Sequence, residues 1–140
     1  MSEIAALGEL VGRLLDRLED GASLEAFQEP LRRGSAAGHV SIVPDEHEPG
    51  AYVMRVRLKI MAVPTGAARG AFTDRLLALN HGFGGRAAFS VDDGVAWLTS
   101  ANPVAHLDPS DLIDLLLWTA AQADHYDDIL LDEFGHELRI

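Results

Sequence analysis

Three aspartates near the end of the sequence have a spacing that could place them around a divalent metal ion. Asp124, Asp128 and Asp132 recur at intervals of four residues, and His125 lies beside the first. On a helix this interval puts side chains on one face, and carboxylate and imidazole groups bind divalent metals. A solvated acidic face has the same pattern, and the Glu-x-x-His pairs of dinuclear helical-bundle sites are missing. We therefore expect no metal or other cofactor, and these aspartates are the candidates that a metal test would address.

A cluster of glycines, Gly82, Gly84 and Gly85, raises the question of a phosphate-binding loop. Such a loop leaves a strand and opens a helix, so that backbone N–H groups and the positive end of the helix dipole meet the anion. The apolar pattern predicts the opposite order here, with a helix before the glycines and a strand after them. The cluster is therefore expected only to let the chain turn.

The sequence has no residues in a pattern that would carry nucleophilic catalysis. It contains no cysteine and no Gly-x-Ser-x-Gly segment of the kind that exposes a catalytic serine. Carboxylates are numerous, but they fall in predicted turns and on exposed faces rather than in an apolar pocket. We therefore expect that the protein is not an enzyme.

Three of the 11 basic residues alternate with apolar residues in the segment AYVMRVRLKIMAV. In a strand, Arg55, Arg57 and Lys59 would lie on one face and the apolar residues on the other. Two interpretations of this basic face remain open. The cations could pair with acidic residues of a neighbouring strand or of the last helix, or they could bind an acidic or mixed peptide.

Charge and composition limit the partners and the location. Acidic residues outnumber basic ones by 22 to 11, the net charge is −11, and the stretch from Asp108 to Ile140 has nine acidic residues and one arginine. Such a chain repels phosphate backbones and anionic lipids, so neither nucleic acid nor a membrane is an expected partner. With 48% hydrophobic residues, no signal-peptide pattern and no apolar run of membrane-spanning length, residues 1–140 are predicted to form one cytoplasmic domain.

Apolar periodicity predicts the elements of the first half of the chain. A helix is expected from Ser2 to about Glu19, whereas residues 21–38 have no clear pattern and predict a short helix followed by a link. Strands are expected in HVSIVPD and in AYVMRVRLKIMAV, with a turn between them. Thr65 is then expected to cap a helix that ends near Asn80.

The second half of the chain is predicted to begin with a hairpin. A three-residue turn, Asp92-Asp93-Gly94, would place apolar residues of both strands on one face, namely Phe89, Val91, Val95 and Trp97. Asp108 and Pro109 are expected to start a long helix that reaches Phe134. The predicted fold is α+β, an antiparallel sheet with helices packed on it in the order α-β-β-(β)-α-β-β-α, where the strand in parentheses stays open.

The last predicted helix has a wider apolar band than one face of a domain buries. Its predicted core stripe consists of Leu112, Leu116, Ala120, Ala123, Tyr126 or Asp127, Leu130 and Phe134. Beyond this stripe, the first half of the helix carries four further apolar residues: Ile113, Leu115, Leu117 and Trp118. A second copy of the chain is the simplest surface to cover them. We therefore expect a homodimer, or a partner interface, at these residues.

The order of these motifs resembles the type III secretion chaperone-like superfamily, in particular its YbjN-type branch. The similarity extends over about Val53 to Leu130 and depends on four segments, which are LLALN, FSVDDGVAWL, HLDPSDL and AAQADHYDDIL. Members of this superfamily are small, acidic, cytoplasmic α+β homodimers without catalytic activity. The secretion chaperones among them hold an unfolded segment of another protein. The superfamily usually has three strands between its first two helices, whereas the sequence pattern predicts two.

The resemblance implies a dimeric binding protein that holds an extended peptide or a partner's terminal segment by strand addition and apolar pockets. A regulatory or scaffold domain that binds a folded protein is the alternative. A divalent metal or small ligand on the last helix is a third possibility, which depends on the aspartates named above.

Overall fold

Eight long elements make up the part of the chain that the computed structural model describes, residues 3–20, 27–106 and 108–140. In chain order they are α1 (Glu3–Asp20), β1 (Gln28–Arg33), β2 (Ala36–Pro44), β3 (Tyr52–Ala62), α2 (Ala68–Phe83), β4 (Ala88–Asp92), β5 (Val95–Pro103) and α3 (Pro109–Phe134). Short 3₁₀ turns occupy Val104–His106 and His136–Leu138. The predicted α+β fold is confirmed.

The five strands form one antiparallel sheet in the order β1-β2-β3-β5-β4, and the described helices all pack on the same face of it. α3 lies over the central strand β3, α1 contacts α3 and β1, and α2 contacts β4. Alternate residues of β3, among them Met54, Val56 and Leu58, are buried beneath the helices, as the period-two pattern predicts. No helix in the described ranges combines the length and the apolarity that crossing a bilayer requires.

β1 corrects the prediction for residues 21–38. Of that stretch, residues 21–26 lie outside the described residues, and the remainder forms β1 and the start of β2 instead of a link. Leu31 is buried, and Gly34 has the left-handed backbone, with φ of 55°, that a two-residue turn requires. Pro30 obscured the strand because it cannot donate a hydrogen bond. An edge strand tolerates proline where its backbone points away from the sheet.

The β4–β5 hairpin differs from the predicted register by one residue. Asp92 pairs with Val95, so the turn contains only Asp93 and Gly94, with φ of 50° and 72°. These positive angles are those of a type I′ turn, whose twist matches that of the strands it joins. The predicted apolar face was therefore wrong, because a shift of one residue reverses the side-chain direction. Phe89 faces the helices, whereas Trp97 faces the opposite side of the sheet.

The ends of α2 also differ from the prediction. The helix begins at Ala68 without a side-chain cap, so Thr65 does not cap it, and it continues beyond Asn80 to Phe83. Gly84, with φ of 61°, ends it in the left-handed conformation, which agrees with the expected turning role of the glycine cluster.

α3 begins as predicted. The Asp108 carboxylate accepts a hydrogen bond from the Asp111 backbone, and the Asp111 carboxylate accepts one from the Asp108 backbone, forming a capping box. The Asp111 N–H and the Ser110 hydroxyl hold the pKa of Asp108 below its ordinary value. The same helix buries the predicted core residues Leu112, Leu116, Ala120, Ala123 and Leu130.

Candidate binding surface on the open face of the sheet

The face of the sheet opposite the helices carries a concentration of basic side chains. Because residues alternate between the faces, the register assigns five basic residues to this open face: Arg32, His39, Arg55, Arg57 and Lys59. Within the described strands, the acidic residue on this face is Asp92 of β4. A basic surface of this kind is unexpected in a chain of net charge −11, and it is therefore the candidate functional site.

Arg55, Arg57 and Lys59 follow one another along β3 in the middle of the sheet and form a basic row. Arg57 lies between His39 of β2 and Thr99 of β5, and Lys59 lies directly opposite Trp97. Arg32 of β1 pairs with Ala37 of β2, and Ala37 pairs with Lys59, so Arg32 lies level with Lys59 across the sheet. The predicted residues Arg55, Arg57 and Lys59 therefore share the open face with Arg32, His39 and Trp97, which the sequence alone did not assign to it.

Arg57 is held in place by two contacts. Its guanidinium lies over the indole ring of Trp97, 4.1 Å from the ring centroid, and its Nη2 donates a hydrogen bond to Asp92 Oδ2 at 3.1 Å. The Lys59 ammonium lies 5.5 Å from the centroid of the same ring. Both distances are within the range of a cation–π interaction. Trp97 thereby contacts two of the three cations of β3, Arg57 and Lys59.

The ion pairs of the basic side chains on this face differ. Arg57 pairs with Asp92 of β4, which β5 separates from β3, so its acidic partner lies neither on a neighbouring strand nor on the last helix, where the first interpretation of the basic face expected it. In the described part of the chain, Arg32, Arg55 and Lys59 form no ion pair with a carboxylate. The last helix cannot supply one because it packs on the opposite face of the sheet. These three cations are therefore free to meet an anionic partner.

Trp97 and Arg32 belong to this candidate surface, although the sequence alone did not assign them to it. The Asp-Gly dipeptide between two apolar strands is the usual signal of a two-residue turn, and a turn of that length places Trp97 on the opposite face from Phe89. Arg32 had no comparable signal, because Pro30 made the strand that carries it unrecognisable.

The residues predicted to form an interface on α3 are largely occupied within one copy. Leu115, Leu117 and Trp118 are each partly buried against the chain's own core, and the side chain of Ile113 lies outside the described part. The side chain of Trp118 contacts Phe83 edge to face, with centroids 5.9 Å apart. Less of this band is left for a second copy than the sequence suggested, so the homodimer stays a prediction.

A shallow groove of about 410 Å³ lies between α2 and α3, lined by Leu79, Phe83 and Tyr126 among others. The Arg86 guanidinium covers Trp118 at its rim, 4.0 Å from the ring centroid. Phe83 and Phe89 join Tyr126 in edge-to-face contacts that hold the wall of the groove.

The metal candidates do not converge on one point. Asp124 lies against the β1–β2 turn, where a Cβ added at Gly34 would overlap its carboxylate. Asp128 is exposed, and Asp132 lies 2.6 Å from His136 Nε2 one helical turn away. The described residues contain no group of three or more potential ligands close enough to share a metal ion.

Among the residues whose side chains the structure describes, the buried aspartate is Asp127, which the sequence left as an alternative to Tyr126 in the core stripe. Its exposed fraction is 1%, its carboxylate accepts a hydrogen bond from the Ser35 hydroxyl, and Arg139 Nη1 lies 3.6 Å from it. Burial raises the pKa of Asp127, an effect that Ser35 and Arg139 partly offset. This contact attaches the β1–β2 turn to the last helix.

The two edges of the sheet are both obstructed. The side chain of Asn80 accepts a hydrogen bond from Phe89 N–H at 2.6 Å and donates one to Phe89 C=O at 3.1 Å, so α2 occupies the edge of β4. In β1, the backbone groups of alternate residues point away from β2, and Pro30 is one of these residues. Because proline has no N–H, it cannot donate a hydrogen bond to an added strand at this position. The open face is therefore more accessible to a partner segment than either edge.

Comparison with protein-family models and with the curated proteins finds no match for this chain. The fold and the charge of the open face are accordingly the observations on which a functional proposal depends.

Proposed function

We propose that this protein is a non-enzymatic, cytoplasmic, homodimeric binding protein that holds an extended segment of another polypeptide on the open face of its sheet. The observation that carries the proposal is the basic row on a face that the described helices leave uncovered. The resemblance to the type III secretion chaperone-like superfamily supports the same class of function. The observed order of three strands between α1 and α2 supports this resemblance, since the sequence pattern alone predicted two.

The charges favour a partner segment that is acidic. Arg55 and Lys59 have no carboxylate partner among the described residues, so a bound carboxylate would gain an ion pair without displacing an existing one. The obstructed edges of β1 and β4 favour binding across the face over the addition of a strand. The partner is thus an extended peptide that lies across the open face of the sheet instead of adding to its edge.

Binding of an unfolded acidic protein tests this proposal. Reduced α-lactalbumin whose thiols are blocked with iodoacetamide, which adds no charge, stays unfolded, and the same protein with its disulfides intact is a folded comparison with the same acidic residues. We expect fluorescence anisotropy to show binding of the unfolded form and little binding of the folded one. Arg55→Glu is expected to weaken that binding about tenfold because it reverses one charge of the basic row.

Arg69→Glu is the matched control, since it makes the same charge change on an exposed arginine of α2, away from the open face. Equal loss of binding in both variants would show that only the net charge matters, and would contradict the proposed surface. Binding of the folded form alone would contradict the proposal and favour the scaffold alternative.

The proposed homodimer has its own test. Light scattering of the purified protein is expected to give twice the 15.1 kDa mass of one chain. A mass of one chain over the whole accessible concentration range would contradict the dimer and leave the binding surface to be judged separately.

A further inference from the structure

We infer that the open face selects segments whose acidic side chains recur at every second residue. This inference rests on the proposed function and makes its partner more specific. Arg55, Arg57 and Lys59 lie on one face of a regular strand, because the register of β3 with β5 shifts only after Lys59. The Cα atoms of neighbouring basic residues are therefore about 6.6–6.8 Å apart along the strand, the repeat of alternate residues.

An extended polypeptide has the same repeat. When such a segment lies along β3, its alternate side chains point to the sheet together and meet successive cations in register. Consecutive acidic residues point to opposite sides of an extended chain, so about half of them would face away. The arrangement of the cations, beyond their number, therefore sets the preferred partner.

The surroundings of the row leave room for the segment. Four of its neighbours on the open face are small, Ala37 and Ser41 on β2 and Thr99 and Ala101 on β5, whereas His39 and Trp97 are larger. Arg57 is the fixed point of the row because Trp97 and Asp92 hold it, whereas Arg55 and Lys59 have no such ion pair in the described residues. A segment would thus gain its register from Arg57 and its ion pairs from the two outer cations.

The same chemistry favours a polypeptide over a single-stranded nucleic acid. Stacking of bases requires an aromatic ring with a free face. The Trp97 ring is covered by the Arg57 guanidinium at 4.1 Å and approached by Lys59, and the chain as a whole carries a net charge of −11. Carboxylates need no stacking surface and can pair with the cations directly.

Two synthetic peptides of identical composition test the inference. Both contain three glutamates among threonines, either at alternate positions or consecutively, with the same label and capped ends. We expect anisotropy titrations to give a dissociation constant about tenfold lower for the alternating peptide at low salt. Arg55→Glu and Lys59→Glu should each abolish this difference, and Arg69→Glu should retain it.

Equal binding of the two peptides would overturn the inference and leave the proposed binding function standing. Absence of binding by both peptides, together with absence of binding by the unfolded α-lactalbumin, would overturn the inference and the proposed function together. A labelled oligouridylate that binds more tightly than the alternating peptide would also overturn the inference, in favour of nucleic acid. Circular dichroism of each variant identifies any loss of fold, and a second charge change, Lys59→Ala, provides a milder test of the same cation.

Discussion

Asp127 is a charged residue that the fold withdraws from water. Its carboxylate lies between the Ser35 hydroxyl, the Arg139 guanidinium and the carboxylates of Asp124 and Asp128. Burial is the main reason that the pKa of Asp127 is raised, and the two neighbouring carboxylates act in the same direction. The folded state therefore retains a proton on this group at a pH where the unfolded chain has lost it.

Asp127→Asn should change how the free energy of unfolding varies with pH. A raised pKa in the folded state means that the contribution of Asp127 is fully present below the ordinary range of an aspartate, and is lost as the pH rises through the raised value. At neutral pH the asparagine still accepts from Ser35 and avoids a buried charge. We expect urea denaturation at pH 7 to give a free energy of unfolding that is unchanged or up to about 2 kcal/mol higher than wild type.

The exposed Asp128→Asn variant serves as the comparison and should follow the wild-type pH dependence more closely. The opposite result would be a free energy of unfolding that falls increasingly below that of wild type as the pH rises. It would mean that the Arg139 ion pair outweighs the cost of burying the Asp127 carboxylate.

At the scale of elements, α2 and β4 stabilise each other through Asn80. Its side chain forms hydrogen bonds with the N–H and the C=O of Phe89, both of which point away from β5. The edge strand is therefore hydrogen-bonded on both sides at that residue. A sequence pattern that treats Asn80 as the end of a helix does not reveal this role. The position of the asparagine inside α2, one turn before its end, is what brings it to β4.

Asn80→Ala removes both hydrogen bonds and leaves the Phe89 backbone partly buried without partners. We expect a loss of about 1–3 kcal/mol in the free energy of unfolding, measured by chemical denaturation. Hydrogen exchange at the Phe89 amide should accelerate as well, because that amide loses its acceptor. His81→Ala, at the adjacent exposed position, should cause neither change, and a similar loss in both variants would show that the Asn80 hydrogen bonds are not responsible.

At the scale of the whole molecule, the charges are separated by the sheet. Acidic residues dominate the segment that contains α3, which packs on one face, whereas basic side chains occupy the other. The ion pairs on the surface, such as Arg13 with Glu29 and Arg75 with Glu133, are exposed and contribute little to stability. Repulsion among the excess acidic groups is therefore expected to dominate the electrostatic energy of the fold.

Moderate salt should therefore stabilise the protein. Raising NaCl from about 0.02 to 0.2 M shortens the screening length severalfold, which weakens repulsion among the acidic residues. We expect the midpoint of thermal unfolding to rise by a few degrees while peptide binding at the open face weakens. A fall in the midpoint over this range would mean that attractive pairs outweigh the repulsion, in conflict with the separation of charge described above.

The sequence by itself determined the α+β class, the cap and length of α3 and the alternation that gives β3 a basic face. Each of these depends on residues close together in the chain, whose periodicity and turn chemistry act locally. Only the tertiary structure decided that Trp97 and Arg32 join this face, that Asn80 covers an edge and that Asp127 is buried. These outcomes depend on strand register and on contacts between distant segments, and a shift of one residue in register reverses the face of every side chain in a strand.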